Sequence, residues 1–285
     1  MIPNWTSNAI DVNGVRIHYT RTGEGSGKPP LVLAHGFSDS GICWLPAALE
    51  LAAEYDVILP DARGHGLSAR VQPGETVDMA ADLAGLVHSL RLEHPILGGH
   101  SMGANTSSQA AARFPDLTSA LILEDPAWRE LEPAHVQDSR QEKQPDPDPF
   151  RQWLMIVKDQ PIEEVIAKCR HDSPTWAEIE LQPWAESKKQ FDTNFFGMVN
   201  GPFMPWVEVV RKISCPALLL TADTSRGAIV PPEVTDQVVQ LNPLFHVVNI
   251  PGAGHNIRRE NFTGYMHALH EFLNNFARAG SIDTE

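Results

Sequence analysis

The sequence predicts one α/β domain built on a doubly wound, mostly parallel sheet interrupted by a helical insertion. Three observations carry this. Short, nearly continuous apolar runs stop abruptly at Gly, Pro, Asp or Ser. Segments with helical spacing separate them. The alternation fails between about residues 127 and 212 and then resumes. The chain has 285 residues, 42% of them hydrophobic, which is enough for a sizeable core.

The elements follow in order. "AIDVNG" and "VRIHYTRTG" read as two strands joined at Asn13-Gly14, a dipeptide suited to a tight hairpin. "PPLVLAHG", "YDVILPDARG", "HPILGGHS" and "SALILEDP" are apolar runs without polar alternation, as expected of strands buried on both faces. Helical spacing covers about 44–53, 77–91 and 102–113. Residues 127–212 then hold no such strand. This block contains the acidic, proline-rich "QPDPDPF" (144–150), expected to be extended, and five of the seven tryptophans. "CPALLLTAD", a helix over about 231–240, "FHVVNIPG" and a last helix over about 259–277 complete the pattern. The expected organisation is therefore a core of residues 1–126 and 213–285, with 127–212 as a helical cap.

Charge and cysteine content narrow the function. With 22 Lys+Arg against 36 Asp+Glu the formal charge is -14, which disfavours nucleic acid or an anionic membrane as partner and favours a small-molecule substrate. Cys43, Cys169 and Cys215 are odd in number and widely spaced, so neither a disulfide framework nor a zinc knuckle is indicated. The N-terminal stretch lacks a basic region followed by an apolar core, and no apolar segment approaches eighteen residues; a cytoplasmic location is expected. There is no HExxH, P-loop or dinucleotide-binding GxGxxG, so no metal or organic cofactor is expected.

The chemistry centres on "GGHSMG". Gly99-His100-Ser101-Met102-Gly103 matches G-x-S-x-G between an apolar strand and a helix. A sharp turn there forces Ser101 into a strained backbone conformation, and side chains two positions to either side would collide; glycine removes the collision. The serine oxygen would then project beyond the carboxyl ends of the strands, and the first amides of the helix, led by that of Met102, would face negative charge.

With "LAHGF" after the third strand, "DARGHGLS" after the fourth, "TAD" after the seventh and "GAGH" after the eighth, the chain resembles the α/β-hydrolase fold superfamily over nearly all its length outside the insertion. A serine nucleophile needs a base and a group that orients the base. Among twelve histidines, His255 lies in a glycine-rich loop before the last helix, which suits the nucleophile, acid, histidine order of that superfamily. His100 is expected to point away from the serine, and His35 and His65 to shape turns. The resemblance places the acid at Asp223; the alternative is "LEDP", Glu124 or Asp125, where other members carry it. The same likeness assigns the oxyanion donors to the amides of Met102 and Phe37, with the Phe37 ring lining the acyl side and "DARGHGLS" buttressing the turn.

Serine at the elbow argues against epoxide opening and halide displacement, which in this superfamily use aspartate there. The expected activity is hydrolysis of a carboxylic ester or lactone of a small, largely apolar substrate through an acyl-enzyme. The insertion's aromatics would form a ceiling to which Trp128 and Trp153, with Phe37 and Met102, contribute substrate contacts. Carbon–carbon bond hydrolysis, cofactor-free perhydrolysis and a ligand-receptor role are the alternatives that the same resemblance allows.

Overall fold

The computed structural model describes residues 5–129 and 149–282. Ten strands are seen among them: β1 (Thr6–Val12), β2 (Val15–Arg21), β3 (Pro30–Ala34), β4 (Asp56–Pro60), β5 (Thr76–Val77), β6 (Ile96–His100), β7 (Ala120–Glu124), β8 (Val199–Asn200), β9 (Ala217–Ala222) and β10 (Phe245–Ile250). Eight form one sheet in the order β1-β2-β4-β3-β6-β7-β9-β10; β5 and β8 pair separately. β1 and β2 form the expected hairpin with Asn13 and Gly14 at positive φ, β2 runs antiparallel to β4, and the remaining neighbours are parallel.

Period-two alternation explains the unbroken apolar runs. Leu31 and Leu33 face one helical layer while Val32 faces the other; Ile122 opposes Leu121 and Leu123, and Leu218 and Leu220 oppose Leu219. One layer is made by α2 (Met79–Ser89), α3 (Met102–Arg113), α7 (Trp206–Lys212) and α8 (Pro232–Leu241). The other is made by α1 (Leu45–Leu51), α9 (Ile257–Glu260) and α10 (Phe262–Ile282). Helix α2 starts where Asp78 caps the Ala81 amide at 3.0 Å.

Among the described residues, α4 (Pro149–Asp159), α5 (Ile162–Asp172) and α6 (Glu178–Gln190) belong to the aromatic-rich segment. They enclose a small core of Val157, Val165 and Ala185, with Trp153 and Trp184 against it. Their other anchor is on the sheet domain, where Leu154, Phe191 and Phe195 pack with Val71 and Val77. Helix α7 differs from the expectation that residues up to 212 form a cap, because Trp206, Val209 and Val210 are buried in the layer containing α2 and α3. Of "QPDPDPF", residues 144–148 lie outside the described residues, and Pro149 and Phe150 open α4 rather than extending. All three cysteines are free and buried. No helix among the described residues is long and apolar enough to cross a membrane.

Candidate active site

The turn between β6 and α3 has the geometry its glycines imply. Ser101 sits at φ 52° and ψ −113°, a conformation that costs a non-glycine residue about 1–3 kcal/mol. A Cβ on Gly99 would lie 2.4 Å from the Gly103 carbonyl carbon, and one on Gly103 would lie 2.2 Å from the Ala34 oxygen. Strand, turn and helix are therefore pressed together as closely as backbones allow, and only glycine permits it. The Ser101 amide pairs with the Glu124 carbonyl at 2.9 Å, which ties the bend to β7.

Ser101 and His255 open into one cavity of about 660 Å³, formed between the carboxyl ends of the strands and helices α4–α6. His255 lies in the loop between β10 and α9. Its Nδ1 lies 2.6 Å from Asp125 Oδ2, and the Asp125 side chain is fully buried while that of His255 keeps 29% exposure. Asp125 follows β7 at φ 42°, another left-handed non-glycine residue. Its carboxylate also accepts the amides of Ile229, at 2.8 and 3.1 Å, and Val230, at 3.0 Å. Three donors thus converge on one buried carboxylate, and its two oxygens are held in place by them.

The carboxylate beside the histidine is therefore Asp125, a correction to the expectation of Asp223. Asp223 Oδ2 instead accepts the Gly252 amide at 2.9 Å, and its backbone amide pairs with the Ala253 carbonyl. The reason is topological. β7 adjoins the serine's strand β6, whereas β9 is one strand further out, so Asp223 braces the loop after β10 and the residues beyond it, Ile229 and Val230, supply amides to Asp125. Glu124, the other residue of "LEDP", is committed elsewhere: its oxygens accept the Arg258 amide and Nη1, each at 3.0 Å.

His100 packs beside the histidine loop. Its ring lies 4.6 Å from that of His255, and its Nε2 donates to the His255 carbonyl at 2.9 Å. Burial holds its pKa well below the ordinary value, with Arg258 and His255 adding to the effect, so it is a neutral brace for the histidine loop. His35 and His65 do shape turns, donating from Nδ1 to the Gly36 and Arg63 carbonyls. His35 Nε2 accepts the Ala62 amide, and Asp61 Oδ1 accepts that of Gly41; through these bonds "DARGHGLS" supports the segment after β3.

The Met102 amide occupies the first position of α3, where no intrahelical acceptor exists. Phe37 lies in the turn after β3, its ring against Phe150, Phe191, Phe195 and Phe196. Phe37 and Trp153 line the serine's cavity. Trp128 does not, which corrects its assignment as a substrate contact: it is 1% exposed, stacked on Trp206 at 6.0 Å within the sheet's helical layer. Met102 lines a separate small cavity with His35 and Gly103, and it packs against the cluster of Leu154, Phe191 and Phe195.

The rest of the cavity wall is more polar than the tryptophan count suggested. Trp176 and Trp184 contribute apolar surface, but Lys188, Arg259, Arg129 and Asn256 line it too. Lys188 and Arg259 pair with Asp39 at 2.6 and 3.0 Å. Arg129 is exposed and has no ion pair with any described residue. No group of three or more His, Cys, Asp or Glu among the described residues is placed to hold a metal ion.

A model of the alpha/beta hydrolase family matches residues 31–263. The chain belongs to that family. It is 28% identical over 282 residues to an N-formylmaleamate deformylase of Pseudomonas putida, covering 93% of this chain and 95% of that one. It is 25% identical over 285 residues to a 2-(acetamidomethylene)succinate hydrolase of Mesorhizobium japonicum, with 95% and 96% covered. The crystal structure of an N-formylmaleamic acid deformylase from Pseudomonas putida S16 superposes with a TM-score of 0.74 at 24% identity, covering 93% of this chain and all of the other, which supports the fold.

Proposed function

We propose that this alpha/beta hydrolase family member cleaves an acyl bond of a small substrate through an acyl-enzyme on Ser101. The observation that carries the reading is the His255 Nδ1–Asp125 contact at 2.6 Å in the cavity that Ser101 enters from its strained bend. Asp125 accepts a hydrogen bond from Nδ1–H, which keeps that proton on Nδ1 and leaves Nε2 as the base that takes the proton of Ser101. Attack on the carbonyl places negative charge on its oxygen, and the amides of Met102 and Phe37 are the donors offered to it. The intermediate collapses as His255 protonates the leaving alcohol or amine. Water, deprotonated by the same histidine, then releases the acid and restores Ser101.

A carboxylic ester is the simplest substrate for this machinery. A carbon–nitrogen acyl bond is the second reading, favoured by relatives whose names specify a deformylase and an acetamidomethylene substrate. Maleamate and succinate are also carboxylates, and Arg129 with Ser173 and Asn256 gives this cavity donors for one. The substrate that fits is accordingly small, apolar on the side of Phe37, Trp153 and Trp184, and anionic toward Arg129.

The test is a substrate panel of p-nitrophenyl acetate and butyrate against N-formyl and N-acetyl amides, each with and without a carboxylate. Turnover by the wild type, lost in Ser101→Ala, is expected, with lower KM for the carboxylate-bearing members. A wild type that binds these compounds and turns over none of them would remove the enzymatic reading in favour of a receptor.

A further inference from the structure

The segment Ala34–Gly41 carries the Phe37 amide. Its carbonyl partner in the same peptide unit, Gly36 O, accepts from His35 Nδ1 at 2.8 Å and from the Asp39 amide at 3.1 Å. A trans peptide is planar, with C=O and N–H antiparallel, so fixing the Gly36 oxygen fixes the direction of the Phe37 N–H. The next residue, Ser38, has φ 62°, a left-handed conformation that a residue with a Cβ keeps only where its surroundings impose it.

Those surroundings come largely from α6. Lys188 Nζ donates to the Ser38 carbonyl at 3.0 Å, to Asp39 Oδ1 at 2.6 Å and to Ser187 Oγ at 3.3 Å, and the residue is 2% exposed. The second oxygen of Asp39 accepts from Arg259 Nη2 at 3.0 Å, while Arg259 Nε donates to Glu180 of α6 at 2.8 Å. Burial pushes the Asp39 carboxyl up, but the charges of Arg259, Lys188 and Arg258 outweigh it and hold it well below the usual carboxylate range. One ionised carboxylate therefore joins the Phe37 turn, the loop that carries His255 four residues before Arg259, and helix α6. The proposed acyl chemistry uses neither Lys188 nor Asp39 directly, and burying such charges is costly unless they are paired.

We propose that Lys188 is a positioning residue that holds Ser38 and Asp39 so that the Phe37 amide stays aimed at the oxyanion, which makes a complete oxyanion hole depend on the docking of α6. This inference rests on the acyl-hydrolase reading.

The test uses steady-state hydrolysis of p-nitrophenyl butyrate, with active sites counted by a fluorophosphonate, in the full-length wild type, Lys188→Met, Lys188→Gln and Lys188→Arg. Removal of an oxyanion donor costs about 100- to 1,000-fold in kcat, and its misalignment less, so Lys188→Met should lose about 10- to 100-fold per labelled site. KM should stay within about threefold, because ground-state binding does not use the oxyanion contact. Affinity for n-butylboronic acid, which forms a tetrahedral serine adduct, should fall by the same factor as kcat. Lys188→Arg, which keeps cationic donors, should recover most of the loss. Should Lys188→Met fail to fold, Lys188→Gln carries the test with an intermediate loss. Unchanged kcat and boronate affinity per labelled site in the folded variants, with only thermal stability or labelled fraction reduced, would overturn the inference while leaving the hydrolase reading intact. A wild type with neither turnover nor label at Ser101 would instead overturn that reading and this inference with it.

Discussion

Replacing Asp125 with asparagine changes one atom's chemistry at the centre of the site and has a calculable consequence. The carboxylate accepts four contacts from three donors: His255 Nδ1 at 2.6 Å, the Val230 amide at 3.0 Å, and the Ile229 amide at 2.8 and 3.1 Å. An asparagine has one acceptor oxygen. Two backbone amides compete with one imidazole for it, so the amide oxygen turns toward Ile229 and Val230 and the NH2 group faces His255. Nδ1 must then accept rather than donate, the proton moves to Nε2, and the base can no longer take the proton of Ser101. A wrong histidine tautomer of this kind costs about 10⁴ in kcat, or about 5.5 kcal/mol at 1.36 kcal/mol per tenfold. The assay is p-nitrophenyl butyrate turnover per folded enzyme, with folding checked by circular dichroism. Asp223→Asn serves as the contrast. It keeps an oxygen for the Gly252 amide and should stay within a few-fold of wild type. A four-decade loss in Asp223→Asn beside near-normal Asp125→Asn would refute the reasoning.

Two further outcomes concern stability. Gly103→Ala puts a methyl group 2.2 Å from the Ala34 oxygen, which belongs to backbone and cannot yield as a side chain would. Urea unfolding should show a loss at the upper end of, or beyond, the ~1–3 kcal/mol typical of overpacking, and a loss below about 1 kcal/mol would mean the bend is looser than described. The second outcome is a pH dependence from buried histidines. Burial lowers the pKa of His35 and His100, and that of His65 to about 3, with His35 adding to the effect at His65. The unfolded state therefore binds more protons below the ordinary value of 6.5, and stability is lost as pH falls from there. Each histidine contributes up to about 1.4 kcal/mol per pH unit, so the urea midpoint should drop markedly between pH 7 and pH 5. A flat midpoint over that interval would contradict the burial of these rings.

Much of this architecture was legible because it is local. The apolar runs at 31–34, 96–100, 120–124 and 217–222 and the glycines at 99 and 103 each state a constraint within a few residues, and the sheet and the serine bend follow from them. His255 was legible from its loop and its place late in the chain. The acid was not. "TAD" and "LEDP" are both strand ends, and the choice depends on which strand adjoins β6 and where the Ile229 and Val230 amides converge, a matter of three-dimensional neighbourhood. Trp128 was misread for a related reason: a tryptophan beside the insertion looks like ceiling, yet it stacks on Trp206, 78 positions away, inside the sheet's flank. The buried cluster of Asp39, Glu180, Lys188 and Arg259 left no signal at all, since its members lie up to 220 residues apart and each resembles a surface charge.

Another serine in the molecule sharpens the decisive measurement. Ser7 Oγ lies 2.9 Å from His18 Nε2, and His18 Nδ1 lies 2.8 Å from Asp61, so the same three residue types line up at the sheet's outer hairpin. Ser7 sits in a regular strand with no helix N-terminus behind it, and Asp61 spends its carboxylate on the Gly41 and Leu67 amides as well. Peptide mass spectrometry after reaction with a fluorophosphonate should find one adduct per chain, on the peptide containing Ser101, forming far more slowly in His255→Ala. An adduct on Ser7 or elsewhere, or none on Ser101 in folded protein, would contradict the account at its root.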